Sequence, residues 1–180
     1  SDRRGIAAVE FALIAPALIF LVMGVLEMSF RFRANEEATR YVHEVADLVA
    51  REDTLTTTSL NEIYAASTNL MKPLVTTARL DFDASAIGFV GTAATPTLYW
   101  RRVAGSPVSF NVSDAKDMGA QNESVIRVGI RYHYESVLTT LFGGKTMTIT
   151  KSAYARPRSE RLVTMDGNTN EGGATVYFGS

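Results

Sequence analysis

Residues 11–26, FALIAPALIFLVMGVL, are sixteen consecutive uncharged and almost entirely apolar positions. As an α-helix they would cover about 24 Å, which is shorter than the roughly 30 Å hydrocarbon core of a bilayer. Extending the segment to residues 6–30, with Glu10 and Glu27 near its two ends, gives the length of a full span. We therefore predict one retained transmembrane helix in the N-terminal part of the chain.

A cleaved secretory signal is the competing interpretation of this stretch. Arg3 and Arg4 followed by an apolar run also describe the first two regions of a signal peptide. The run is long for that purpose, however, and the residues that follow it, EMSFRFRAN, contain no small-x-small cleavage site. Arginine pairs flank both ends, so charge counting does not orient the span. These observations favour a retained membrane anchor.

The overall composition limits the functional classes. The chain has 180 residues and 46% hydrophobic content, enough for one ordinary domain beside the span. With 18 basic and 19 acidic residues there is no surplus of positive charge for nucleic-acid phosphates. Without cysteine there are no disulfides or thiolate metal ligands. Neither His43 nor His133 has metal-type spacing, and no hydrolase signature occurs, so we expect no cofactor and no catalysis.

The helical pattern continues beyond the span. Apolar residues recur at three- and four-residue steps over residues 38–49, as in an amphipathic helix. No glycine or proline interrupts residues 30–51, so one continuous helix about 65 Å long is predicted over residues 6–49. Glu27 lies four residues before Arg31, the favourable order for a helical ion pair, and we expect this pair at the membrane edge.

A second, shorter helix is predicted after the loop TLTTTS (54–59). Ser59 followed by Glu62 is a capping-box pattern in front of an apolar run. Pro73 is expected to end this helix near Met71.

After Pro73 the apolar period changes from 3.6 to 2, which is the period of β-strands. Each segment has one apolar and one polar face, so we predict an α+β fold with about four antiparallel strands packed on the outer half of the first helix. Asp81 and Asp83 are expected on the solvated face. The predicted strands are residues 78–83, 97–103, 124–134 and 147–155.

Two further segments lack a periodic pattern. Residues 105–123 form a polar connection, and the Gly/Asn-rich end of the chain is expected to be flexible. The predicted organisation is a short basic segment (1–5), the transmembrane half of the first helix (6–30), a domain outside the membrane (31–165) and a tail (166–180).

Glu10 is the exception within the apolar segment. A carboxylate near the hydrocarbon costs about 2.5–3.5 kcal/mol on insertion scales. The residues three and four positions away cannot donate a side-chain hydrogen bond; they are Ile6, Ala7, Leu13 and Ile14. The acid therefore stays hydrated near the headgroups, is protonated, or meets a partner outside its own helix.

The segment RRGIAAVEFALIAP (3–16) resembles the processing and membrane segment of type IV prepilins, and more closely that of TadE-like pseudopilins of bacterial tight-adherence (Tad, Flp) pilus systems. In such proteins a basic leader ends in glycine, a prepilin peptidase cuts after it, and a glutamate stands fifth in the mature chain. The resemblance implies cleavage between Gly5 and Ile6, which makes Glu10 the fifth residue, followed by Phe11.

Other parts of the chain share this resemblance. GVLEMSF (24–30) resembles the pattern that closes the membrane segment in TadE-like proteins, and residues 124–158 resemble their C-terminal strands, which end in an Arg-Pro signature. Pro16 resembles the proline found inside the segment and removes one helical hydrogen bond. Gly24 permits close helix approach. Pro16 and Gly24, with Glu27 and Arg31, are therefore candidates for a kink or an interface.

The function implied by the resemblance is that of a minor pilin or pseudopilin, because major pilins of this type are little more than the hydrophobic helix. Glu10 would pair with the α-ammonium that cleavage frees on a neighbouring subunit. The implied partners are the prepilin peptidase, the major pilin, other minor pilins, the inner-membrane assembly platform and the lipid bilayer. The leader would be cytoplasmic and the domain periplasmic. The alternative is an unprocessed, single-pass periplasmic binding or sensor module.

Overall fold

One long helix, α1 (Arg4–Arg51), dominates the computed structural model, which describes residues 4–52, 54–70, 80–134, 147–158 and 161–179. This confirms the predicted continuous helix. The half that follows residue 33 buries one face at three- and four-residue steps, as the amphipathic pattern indicated. The buried residues of this face are Ala34, Ala38, Tyr41, Val42, Val45, Ala46, Val49 and Ala50.

The second helix, α2 (Thr57–Leu70), begins earlier than predicted. The Ser59 amide donates to Thr56 Oγ1 at 3.0 Å, and the Thr56 amide donates to Ser59 Oγ at 2.9 Å. The reciprocal cap is thus Thr56–Ser59, and the predicted pair Ser59–Glu62 was wrong. The helix begins earlier because the strand before it, β1 (Thr54–Leu55), is held in place by parallel pairing with Thr164–Met165. Met71 and Pro73 lie outside the described residues.

Five strands form the main sheet in the described part of the chain, in the order β5-β4-β2-β3-β7. Neighbours are antiparallel except β3 and β7, which are parallel. A short parallel pair, β1 with β6, lies apart from it. The remaining strands are β2 (Leu80–Val90), β3 (Thr95–Ala104), β4 (Ser124–Tyr134), β5 (Met147–Ala155), β6 (Thr164–Met165) and β7 (Thr175–Tyr177).

The main core lies between the sheet and the two helices. α1 packs across β4 and β5, where the alternating apolar residues of β4 are buried as predicted. Trp100 is fully buried on β3, and its indole N–H donates to the Val163 carbonyl at 3.0 Å. This layered arrangement is the predicted α+β fold.

The polar face of the sheet is covered, which corrects the prediction that Asp81 and Asp83 are solvated. Residues 105–123 fold over this face and include a short 3-10 helix, Val112–Ala115. They complete a small second core, whose fully or nearly buried members are Ile87, Phe89, Ala115 and Val125. The connection that appeared only polar in sequence is therefore a third layer.

Asp83 is the centre of a charged cluster beneath this layer, with 0% of its surface exposed. Arg101 Nε donates to both carboxylate oxygens, at 3.1 and 3.2 Å, and the Val108 amide donates at 3.0 Å. Arg127 is also buried; its Nη1 lies 3.6 Å from Asp83 Oδ1, and its guanidinium carbon is 4.0 Å from the Phe110 ring centroid. Burial lowers the pKa of Arg127, and Asp83 opposes this shift.

The end of the chain is also part of the fold rather than the flexible tail that its composition predicted. Residues 166–179, here called the strap, include β7, which pairs with β3. Phe178 packs between Tyr64 and Phe82, with ring centroids 5.9 and 6.0 Å apart. Many of the glycines that suggested flexibility have positive φ angles and form the turns of this segment; they are Gly167, Gly172, Gly173 and Gly179.

Arg102 fixes the strap to β3. Only 3% of Arg102 is exposed, and its two terminal nitrogens donate to the Glu171 carboxylate at 2.6 and 2.8 Å. A further bond of 3.1 Å reaches Asp166. Asp166 also accepts from the Thr57 amide and hydroxyl at 3.0 and 2.7 Å, where its charge suits the N-terminus of α2. A single buried cation thus joins β3, α2 and the strap.

The strap should weaken in acid. The Thr57 hydroxyl and amide, with Arg102, hold the pKa of Asp166 below its usual value. A depressed pKa contributes stability above the unfolded-state pKa, about 3.9, and this contribution is lost as the pH falls through the lower folded-state pKa. We expect the difference in denaturant midpoint between wild type and Asp166→Asn to shrink as the pH falls below about 4. The exposed-residue variant Glu62→Gln is the control, and a pH-independent difference would contradict this assignment.

Candidate membrane and assembly helix

The first half of α1 projects from the domain with its apolar side chains exposed. This half is long and apolar enough to span a membrane, and its most apolar stretch is not buried in the domain. Such an exposed apolar surface is unfavourable in water and requires lipid or other helices. The large exposed residues are Val9, Phe11, Leu13, Ile14, Leu18, Ile19, Phe20, Leu21, Val22, Val25, Leu26, Met28, Phe30 and Phe32.

The predicted cleavage site lies in the first turns of α1. Gly5 and Ile6 are both helical, and a Cβ added to Gly5 would meet nothing within 4 Å. Glycine stabilises a helix poorly, so the helix opens at low cost around Gly5. The side chain of Ile6 lies outside the described residues. The backbone here is accessible to a protease.

Glu10 is exposed one turn further along, beside the 70% exposed Phe11. Among the described residues Glu10 takes part in no ion pair, whereas acids at Glu27, Glu37 and Glu44 each pair with an arginine four positions away. An acid on a lipid-facing helix without such a partner is costly. The geometry leaves Glu10 available to a cation from outside the chain.

Pro16 and Gly24 lie between Glu10 and the domain. α1 continues through Pro16 without interruption, although proline lacks the amide that would complete one helical hydrogen bond. Gly24 is exposed, and a Cβ placed on it would meet nothing within 4 Å. Its small surface therefore faces away from the chain's own domain and is open to a neighbouring helix.

Glu27 and Arg31 mark the junction between the exposed half of α1 and the domain. Arg31 Nε donates to Glu27 Oε1 at 2.8 Å, in the predicted i,i+4 order. Glu27 is only 6% exposed, unlike its neighbours along the helix. Tyr134, at the end of β4, lies close enough that Glu27 adds to the upward shift of its pKa, which burial dominates. This end of the sheet therefore adjoins the helix where the span ends.

The Arg-Pro signature after β5 anchors the sheet to the far end of α1. Arg158 Nη2 donates to Asp47 Oδ1 at 2.6 Å, and the Arg158 amide donates to the Ala50 carbonyl at 3.4 Å. Asp47 also pairs with Arg51, and these two arginines lower its pKa against the effect of burial. The signature thus has a structural role in this chain.

Sequence reasoning missed two groups of charged residues. Arg102 joins Glu171 and Asp166, and Asp83 joins Arg101 and Arg127. The available signal was the alternation of opposite charges on the same face of neighbouring strands, because Asp81 and Arg131 are directly paired in register. The sequence did not show that another layer covers that face.

The exposed half of α1 offers a surface for association with lipid or other helices. Within the described residues, no three His, Asp or Glu side chains are grouped as metal ligands would be. His43 is exposed, and His133 lies 3.5 Å from Asp81 at the sheet surface. The features that remain are a lipid-compatible rod, an unpaired acid near its start and an accessible backbone before that acid.

A long, half-exposed apolar helix whose other half packs on a mostly antiparallel sheet defines an α+β, pilin-like fold. Residues 5–47 match the family model described as TadE-like protein, so this helix is similar to the N-terminal segment of that family. The match covers the exposed half of α1 and most of its packed half. Searches of curated proteins and of solved structures found no match.

Proposed function

We propose that this protein is a minor pilin or pseudopilin of a tight-adherence pilus, cut by a prepilin peptidase between Gly5 and Ile6 and then co-assembled with other subunits. The observation that carries this proposal is the unpaired Glu10 on an exposed apolar helix, four residues after the start of the proposed mature chain. The TadE-like match over residues 5–47 provides the context of Tad pilus machinery.

The proposed assembly step is the formation of an ion pair between two subunits. Cleavage creates an α-ammonium on Ile6 at the N-terminus of a helix, where the helix dipole disfavours a positive charge. Glu10 of an adjoining subunit can pair with this ammonium, so two charges that are costly alone in the apolar layer satisfy each other. Such pairing sets the axial register of parallel subunits. Pro16 and Gly24 lie on the same exposed rod and would adapt it to its neighbours.

The proposed placement follows from the same helix. Residues 1–5 form the remnant of a cytoplasmic leader, residues 6–30 span the inner membrane, and residues 31–165 form the periplasmic domain. The strap, residues 166–179, completes that domain. The partners are the prepilin peptidase, the lipid bilayer, the major pilin, other minor pilins and the assembly platform. The role is structural, without catalysis and without cofactor.

Processing is tested by mass spectrometry of the chain purified from cells with and without the peptidase. We expect a mature N-terminus at Ile6 only when the peptidase is present. Gly5→Leu should block cleavage, because a bulky residue replaces the smallest one at the cut, whereas Gly24→Leu, in the same helix, should not. An intact leader in cells that express the peptidase would instead support a permanently anchored binding or sensor module.

A further inference from the structure

The free edge of β3 binds an extended strand, and in this structure that strand belongs to the strap. The amides of Glu171 and Gly173 donate to the Tyr99 carbonyl at 2.8 and 3.1 Å, and the Phe178 amide donates to the Val103 carbonyl at 2.9 Å. Between these bonds, β7 runs parallel to β3. Strand addition of this kind takes its affinity from backbone bonds and its specificity from side-chain anchors.

Two side chains anchor residues 171–178 of the strap, one at each end of this stretch. Glu171 meets the buried Arg102, and Phe178 fits between the rings of Tyr64 and Phe82. The strand residues between them are all exposed, including Tyr177 at 62%. The occupant is therefore a short linear segment with a carboxylate and an aromatic ring seven positions apart, held from outside the domain.

Arg102 determines which strands can fill this edge. Its carboxylate partners in the structure, Asp166 and Glu171, both belong to the strap. If residues 171–178 left, the Arg102 guanidinium, which is 3% exposed with the strap in place, would lose both of its bonds to Glu171 and keep only the bond to Asp166. An occupant without a matching acid would not restore the lost bonds. Residues 171–178 of a second copy supply both anchors at the required spacing.

The position of the edge suits contact with a neighbour. α1 packs across β4 and β5, on the opposite side of the sheet from β3 and β7. The turn that leads into the strap has Asp166 and Gly167 at positive φ, and the following residues are mostly exposed. Opening this turn breaks the two backbone bonds between Met165 and Asn168, whereas the packing of Phe178 is regained in the partner copy.

We infer that subunits exchange the strap, so that residues 171–178 of one copy occupy the β3 edge of the next copy. Exchange makes no contact that is absent from the closed chain, so its cost is limited to opening the turn at Asp166–Gly167. This lateral interface lies apart from the helix contacts of the proposed assembly. It does not depend on cleavage at Gly5.

The first test uses two differently tagged full chains in detergent. The acceptor carries Glu171→Ala and Phe178→Ala, which remove both anchors of its own strap, and the donor carries Arg102→Ala with an intact strap. We expect the acceptor to capture the donor, and capture to weaken at least about a hundredfold when the donor also carries Phe178→Ala. An acceptor with Arg102→Ala should behave likewise. Association through α1 is common to all pairs, so equal capture by all of them would overturn the inference.

The second test keeps both anchors of the strap in its main experiment. A photoreactive benzophenone side chain replaces the exposed Tyr177, and tagged and untagged chains are mixed before illumination. We expect cross-links from residue 177 of one copy to β3 of the other copy, and these should disappear with Phe178→Ala. Adducts found solely within one chain would overturn strap exchange. Because neither test involves the peptidase or a fibre, such a failure leaves the proposed function untouched.

Discussion

Replacing Glu10 with glutamine should leave cleavage after Gly5 intact and reduce incorporation into the assembled fibre by at least about a hundredfold. Glutamine preserves size and helical propensity but removes the charge that would pair with the α-ammonium of a neighbouring Ile6. Removing one member of an ion pair in an apolar layer leaves the other charge unpaired, at a cost of about 3–5 kcal/mol, which corresponds to more than a hundredfold in association. Quantitative immunoblotting of sheared fibres and of membranes measures both effects.

Glu36→Gln is the matched control for this experiment. Glu36 is an exposed acid on the packed half of α1, and it takes part in no ion pair among the described residues. We expect it to assemble as the wild type does. Glu10→Asp should keep part of the incorporation into the fibre, since the negative charge remains on a shorter side chain. Normal incorporation of Glu10→Gln would refute the ion-pairing step, and loss of cleavage would show that the acid acts on the peptidase instead.

The largest expected effect on stability belongs to Asp83→Asn. This carboxylate is fully buried and faces two arginines, Arg101 and Arg127. Asparagine keeps the shape and one acceptor but leaves two guanidiniums without an anion, so we expect a loss of about 3–5 kcal/mol in the free energy of unfolding. Denaturant unfolding followed by the fluorescence of Trp100, the single tryptophan, measures this loss.

Asp81→Asn on the same strand provides the comparison. Asp81 is less buried than Asp83, and its 3.4 Å ion pair with Arg131 is partly screened by water because 15% and 26% of the two side chains are exposed. We expect a loss below about 1 kcal/mol. Replacing Asp83 and both arginines together with apolar residues should restore much of the stability. The triple replacement leaves no buried charge without a partner, and a complete buried ion pair adds little net stability. Equal losses for Asp81→Asn and Asp83→Asn would contradict the buried cluster.

The sequence predicted the strands best where large apolar and charged residues alternate. The limits of β4 and β5 were predicted to the residue. β2 continues well beyond its predicted end, because its second half, ASAIGFV, consists of small and apolar residues without a polar alternation. A register shift between Ala86 and Ile87 also changes which residues of β2 face the core.

The remaining differences come from contacts between segments distant in sequence. The period of β2 correctly placed Asp83 on the polar face, but only the tertiary fold shows that residues 105–123 bury that face. Glycine and asparagine in the strap predicted flexibility, whereas several of these glycines supply the left-handed turns that β7 requires. At the candidate site the local pattern was enough to predict the exposed helix, whereas cleavage at Gly5 and the role of Glu10 stay predictions.

The unbroken α1 has a mechanical consequence. The same helix forms the exposed apolar rod and the packed helix of the domain, and no glycine or proline interrupts residues 30–51. This packed part is about 32 Å long, so tilting it by about ten degrees displaces its far end by about 6 Å. A force that tilts the helix near residue 30 is therefore transmitted to the domain, because residues 30–51 contain no flexible joint.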